Sequence, residues 1–216
     1  MRGQKPSILT TRDTEILSTL TKRVRILSEP QIAQRWWTSS TNARSSARRS
    51  LKRLIDTGLL ETGVGLSHPL IPLASPVVAW TPGSPVPDAE QSAYRLQSRW
   101  SLPPVSTRWF SATRRAGSLT GGFGGRTPRA SELTHDIHLA ELYMRLEGQH
   151  PPLAATWTSE TELYMLGMGR NGRLPDAMVR EGESWRVIEF GGAYSSDKVR
   201  AFHEFCSDCG LGYEIW

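Results

Sequence analysis

The sequence predicts a two-domain α+β protein, with three helices and a β-hairpin in front and helices laid on a central mixed sheet behind. Three observations carry this. Residues 1–60 hold 12 Lys/Arg against 4 Asp/Glu, residues 61–130 hold 7 against 3, and residues 131–216 hold 7 against 14. A basic front and an acidic back point to different partners for the two halves. Composition shifts to proline and serine at "TPGSPVPDAE", which marks a boundary near residue 82. The apolar pattern shifts too, from helical spacing early in the chain to short β-type runs between helices near its end. The expected division is 8–82 for the first domain, 83–130 for a connector and 131–216 for the second domain.

Composition narrows the classes further. An apolar content of 38% with eight tryptophans supports packed cores and excludes wholesale disorder. No run approaches the ~18 apolar residues of a membrane span. "MRGQKPSILTTRDTEIL" carries no continuous apolar stretch of the signal-peptide kind, so a cytoplasmic protein without a membrane partner is expected. Two cysteines make no disulfide framework.

In the first domain, "TTRDTEILSTLTKR" opens on cap-type residues and places Ile16, Leu17 and Leu20 at helical spacing. "LSEPQIAQRWW" supplies Ser28 as a cap, a proline in the first turn, and Ile32, Ala33 and Trp36 to bury. "TNARSSARRSLKRLIDTG" gives the clearest helix. Its inner stripe is Ala43, Ala47, Leu51, Leu54 and Ile55, and Gly58 ends it. Arg44, Arg48 and Lys52 form an outward row, flanked by Arg49 and Arg53, with no acid between Arg44 and Arg53 to neutralise them by i,i+4 pairing. "LLETGVGLSHPLIPLASPVVAWTP" then reads as two β runs around a loop. Three helices and a hairpin make a winged helix-turn-helix, in which the third helix enters the major groove of DNA and the wing touches the backbone. The five basic residues are the expected DNA contacts, to guanine edges or to phosphates, and they need no cofactor. A merely solvated face is the plainer alternative. Trp36 and Trp37 read as packing residues.

The connector combines a short helix capped by Asp88 with "STRWFSATRRAGSLTGGFGGRTPRA". No Gly-Lys-Ser/Thr follows its glycines, so it is not a Walker loop. It is either a flexible basic arm along phosphates or an ordered loop.

The second domain begins with a strong helix, "ASELTHDIHLAELYMRLEG", followed by "LAATWTSETELY", read as a strand carrying Glu160 and Glu162. In "LPDAMVREGESWRVIEFGG" a two-residue type II′ turn with Gly182 first makes paired positions sum to 365. Asp176 and Glu189 then face each other, roughly 5 Å apart at Cβ. Two such carboxylates repel unless something positive lies between them. That is a divalent cation able to activate water; the plainer alternatives are partial exposure or pairing with Arg173, Arg186 or Lys198. "SSDKVRAFHEFCSDCGLGYEIW" gives a helix capped by Ser195 or Ser196 and closed by Gly210, then a strand. Cys206 and Cys209 sit at that helix's C-terminus, where the dipole disfavours a thiolate. Packing suits them better than zinc, which would need His203 and a fourth ligand such as His135.

Helix, strands, helix, strand, with acids on the middle hairpin, resembles the core of the PD-(D/E)xK nuclease-like fold. The whole chain resembles the bacterial replication-relaxation family, which joins a winged helix to such a domain. "HDIHLAELYMRL", "WTSETEL", "LPDAMV", "VIEFGG" and "DKVRAFHEF" carry the resemblance in order. It implies Asp176 and Glu189 as the nuclease-like carboxylates and as ligands for Mg²⁺ or Mn²⁺, with Glu141 as a third acid. Gly191 departs from it, standing where the pattern asks for lysine, and Lys198 on the next helix is the candidate replacement. Two functions follow as expectations. One is a double-stranded DNA-binding accessory or regulatory protein of a plasmid, phage or mobile element, with a non-catalytic second domain for homodimerisation or docking of a protein partner. The other is a metal-dependent DNA endonuclease or nickase. A third reading makes the basic face a dock for an acidic protein.

Overall fold

The structure is a computed structural model that describes residues 9–170 and 172–216. In chain order its elements are α1 Thr11–Lys22, β1 Ile26–Ser28, α2 Glu29–Trp36, α3 Ala43–Asp56, β2 Leu60–Ser67, β3 Val78–Trp80, α4 Ala89–Ser98, β4 Val105–Ala112, α5 Arg114–Thr120, α6 Leu133–Gln149, α7 Pro151–Ala155, β5 Thr158–Ser159, α8 Glu160–Met165, β6 Ala177–Glu181, β7 Ser184–Glu189, α9 Ser196–Asp208 and β8 Gly212–Ile215. The fold is mixed α+β. No helix among the described residues is long and apolar enough to cross a membrane.

Local chemistry explains several helix ends. Thr10 and Ser28 each close a capping box, with Asp13 and Gln31. Asp88 and Ser195 cap α4 and α9 by accepting from Gln91 N–H and Lys198 N–H. Past α3, Gly58 takes φ 70°, left-handed backbone that costs glycine little.

The chain divides into two compact units, but not where composition suggested. One unit is residues 1–67 with 106–140, the other 68–105 with 141–216, so the chain changes unit within α6. The first holds 17 basic against 7 acidic residues, a net of +10; the second holds 9 against 14, a net of −5. The expected connector is thereby shared out between the units.

In the first unit, α1, α2 and α3 accompany a three-stranded sheet ordered β1-β4-β2. Strand β4 pairs antiparallel with β1, Leu27 opposite Phe110. The expected hairpin is therefore corrected: β2 takes β4 as its neighbour, and β3 leaves for the other sheet. Trp109 of β4 explains part of this choice. Its ring lies against Gly63 of β2, where an added Cβ would meet Cζ2 at 2.4 Å, and it packs on Ile26, Leu133 and Ile137. The glycine-rich stretch is an ordered loop. Phe123 N–H donates to Thr21 O at 2.7 Å, and Gly122 sits so close that a Cβ would come within 2.6 Å of that same oxygen.

In the second unit a five-stranded sheet runs β3-β8-β7-β6-β5. The β7–β8 pair is parallel and the rest are antiparallel, so the sheet is mixed. Its main core joins Met178, Val187, Tyr213 and Ile215 of the sheet to Leu96 of α4 and Val199, Phe202 and Cys206 of α9. Trp80 stacks on Tyr213 at 5.6 Å, which draws β3 to this sheet. The strand expected over "LAATWTSETELY" shrinks to Thr158–Ser159. Glu160 and Glu162 start helix α8 instead, where carboxylates favour a helix N-terminus.

Candidate functional site

Helix α3 buries Ala47, Leu51 and Leu54 and turns its basic row outward. The five basic residues expected to touch DNA separate into two groups. Arg44 and Arg49 are exposed and form no ion pair among the described residues. The other three are engaged. Arg48 Nε donates to Glu29 Oε1 at 2.6 Å, although the Arg48 side chain stays 66% exposed. Lys52 pairs with Asp56 one turn on, at 2.7 Å. Arg53 turns inward to Asp13, whose side chain is fully buried. The absence of an acid between Arg44 and Arg53 therefore did not leave the row unneutralised. Its partners come from α1, from α2 and from the helix end.

Arg53 belongs to the framework rather than to a surface. Burial by itself would raise the Asp13 carboxyl, but hydrogen bonds from Arg53, Thr10 and Ser50 outweigh that and hold it below the usual carboxylate range. Around the basic row the tryptophans pack. Trp36 and Trp37 are each 8% exposed, Trp36 Nε1 donates to Glu15 at 3.0 Å, and the Arg12 guanidinium lies 4.6 Å from the Trp37 ring centroid.

In the second unit the hairpin register is the expected one: Ala177 faces Ile188 and Glu181 faces Ser184. Gly182 is at φ 61° while Glu183 is not left-handed, which fits the type II′ turn. One step beyond the ladder, Asp176 and Glu189 come together. Asp176 N–H donates to Glu189 Oε2 at 3.3 Å, and Phe190 N–H donates to Asp176 Oδ2 at 2.8 Å. Glu189 is 4% exposed, and its Oε1 accepts a short hydrogen bond from the Tyr194 hydroxyl. Tyr194 has no sequence signal; it reaches back across the turn after β7. Burial, then the charge of Glu189, pushes its phenol far above its ordinary range, so it stays a donor.

Lys198 is exposed, its Nζ 5.2 Å from the Tyr194 ring centroid, so the proposed replacement lysine does lie beside this cluster. Arg173 lies 5.3 Å over the Phe202 ring, with Nη1 buried and without a hydrogen-bond partner among the described residues. Its positive charge opposes the rise at Tyr194. Arg186, a third cation considered for the carboxylates, instead pairs with Glu181 and Glu214.

Gly191 has a physical reason. A Cβ there would meet Ile215 Cγ2 at 2.6 Å and the methyls of Leu96 at 3.2 Å, and its N–H donates to Trp216 O at 2.9 Å. The position is packed shut, so a lysine does not fit it.

Three carboxylate oxygens already accept from Phe190, Asp176 and Tyr194, and no group of three His, Cys, Asp or Glu placed to hold an ion occurs among the described residues. Glu141, half-buried on α6, is thus not brought into a three-ligand cluster with Asp176 and Glu189. Nor do Cys206, Cys209 and His203 form one. Cys206 is buried, its thiol pushed up to about 12 by burial and by the charge of Glu189, while Cys209 is exposed and His203 Nδ1 lies 3.1 Å from the Tyr213 hydroxyl.

Compared with known proteins, the chain matches no family model, no curated protein and no solved structure.

Proposed function

We propose that this protein is a double-stranded DNA-binding accessory or regulatory protein that reads the duplex through a winged helix in its first unit. The observation that carries this reading is the outward face of α3, with exposed Arg44, Arg48, Arg49 and Lys52 opposite a buried Ala47–Leu51–Leu54 stripe, two of the four having no ion pair among the described residues. The element order α1-β1-α2-α3-β2 with β4 completing a sheet ordered β1-β4-β2 supports a winged helix, as does the unit's net charge of +10. The wing then carries residues 68–104 between its two strands. The plasmid, phage or other mobile-element setting rests on the family resemblance alone. In the same reading the second unit is a nuclease-like fold without catalysis, used for homodimerisation or for docking a protein partner, and its acidic pair is structural.

The test is fluorescence anisotropy of a labelled duplex across a salt series, comparing the parent chain with Arg44→Ala/Arg49→Ala. The expected result is weaker binding and a salt slope lower by about 2, one unit per lost phosphate contact. A double variant that binds as tightly as the parent would show that α3 is not the reading helix. Absence of any duplex binding at moderate salt would favour docking of an acidic protein on this face.

A metal-dependent endonuclease or nickase remains the second reading, favoured by Lys198 beside Tyr194 and the Asp176–Glu189 pair. Incubation of supercoiled plasmid with Mn²⁺, beside EDTA and Asp176→Ala lanes, separates the two. Nicks that require both metal and Asp176 would overturn the non-catalytic reading.

A further inference from the structure

The second unit holds a cavity of about 340 Å³ that no part of the DNA-binding reading uses. Val179 of β6 and Ile188 of β7 line it. Side chains alternate along a strand, so it opens on the sheet face opposite Asp176 and Glu189. Leu142 of α6 and Trp157 complete an apolar interior; these four side chains are 1–5% exposed. A volume of this order, apolar walls and a few polar groups at the edge are the usual make-up of a small-molecule site.

The polar groups narrow the ligand. Two arginines and two glutamates line the cavity, so their formal charges cancel, but their surroundings differ. Arg186 donates to Glu214 Oε1 at 3.0 Å and also pairs with Glu181, while Trp216 Nε1 donates to Glu214 Oε2 at 2.9 Å. The Glu214 carboxylate is therefore engaged on both oxygens. The Glu181 side chain is 60% exposed, where solvent screens its charge. Arg145 differs from all of these. Its Nη2 donates to the neutral carbonyl of Ala74 at 2.9 Å, and it forms no ion pair among the described residues. A guanidinium without an acid, at the edge of an apolar hollow, favours a carboxylate that brings its own apolar body.

We propose that this cavity binds a small amphipathic acid, an apolar ring or short chain bearing one carboxylate, with the carboxylate on Arg145 and the apolar body against Trp157, Val179 and Ile188.

The experiment is isothermal titration of the whole protein with three probes of one shape and different charge: 2-naphthoate, 2-naphthylmethanol and 2-naphthylmethylamine. The expected order places naphthoate first, the alcohol about tenfold weaker and the amine weakest. Arg145→Met is expected to reduce naphthoate to the level of the alcohol and leave the alcohol unchanged. Leu146→Trp, which projects an indole into the cavity, is expected to abolish both. Absence of heat from every probe at millimolar concentration, equal affinity for the three, preference for the amine, or binding that persists in a folded Leu146→Trp would each overturn the proposal. The three-probe comparison uses the unaltered chain, so it stands whatever the stability of the variants. It is also independent of DNA binding, which is read separately by anisotropy.

Discussion

The basic row on α3 and the acidic pair beside β7 are the two charge clusters the sequence makes most of, and they meet opposite fates. On α3, charges of one sign sit on a helix surface. Three find partners, and Arg44 and Arg49 are left facing solvent. Beside β7, Asp176 and Glu189 sit where a ladder ends, and two backbone amides and a tyrosine hydroxyl donate to three of their four oxygens. A helix keeps its own amides for itself, so its surface charges must look to other side chains or stay free. A strand end offers unpaired N–H groups, and a buried carboxylate there can accept from them. The same kind of charge cluster thus faces solvent in one unit and is hydrogen-bonded internally in the other.

The largest effect is expected where the basic row turns inward. Asp13→Ala leaves Arg53, Ser50 and the Thr10 cap without their acceptor, and loss of one member of a buried pair costs on the order of 3 kcal/mol, read as a lower urea midpoint. The pH dependence follows from the same carboxyl. Its folded pKa is depressed, so its contribution is fully present above the unfolded value of about 4. It is lost as pH falls through the folded pKa, and the gap between parent and Asp13→Ala should close on acidification.

The next effect sharpens the contrast from the acidic side. Gly191→Lys, which restores the nuclease-like pattern, should cost about 2 kcal/mol in the same assay through collision with Ile215 and Leu96, and should not produce plasmid nicking. Stable folding with new metal-dependent nicks would mean that the pair is a reagent after all. Asp176→Ala, which strips the acceptor from Phe190 N–H, is expected to cost about 1–2 kcal/mol.

Smaller still is the surface. Arg44→Ala/Arg49→Ala should weaken duplex binding on the order of tenfold at moderate salt while leaving the urea midpoint unchanged. Lys52→Ala, which breaks one exposed i,i+4 pair with Asp56, should shift stability by no more than about 0.5 kcal/mol.

How much was legible depended on the range of the interaction. The caps at Thr10, Ser28, Asp88 and Ser195, the glycine stop at Gly58, and the hairpin register about Gly182 are all hydrogen-bond patterns closed within a few residues. The amino-acid order alone determines them, and with them the pairing that brings Asp176 to Glu189. The partner of β2 was not legible, because residues 68–104 intervene and "VVAW" and "VSTRWFSA" are both competent strands. Packing decided it, through Trp109 on Gly63 in one unit and Trp80 on Tyr213 in the other. The same holds for charge. That Arg48 meets Glu29, that Arg53 meets Asp13 and that position 191 has no room for a side chain depend on atoms brought close only by the tertiary fold. Local backbone geometry is written in consecutive residues, whereas the identity of a neighbour across space is set by which surfaces the whole chain buries together.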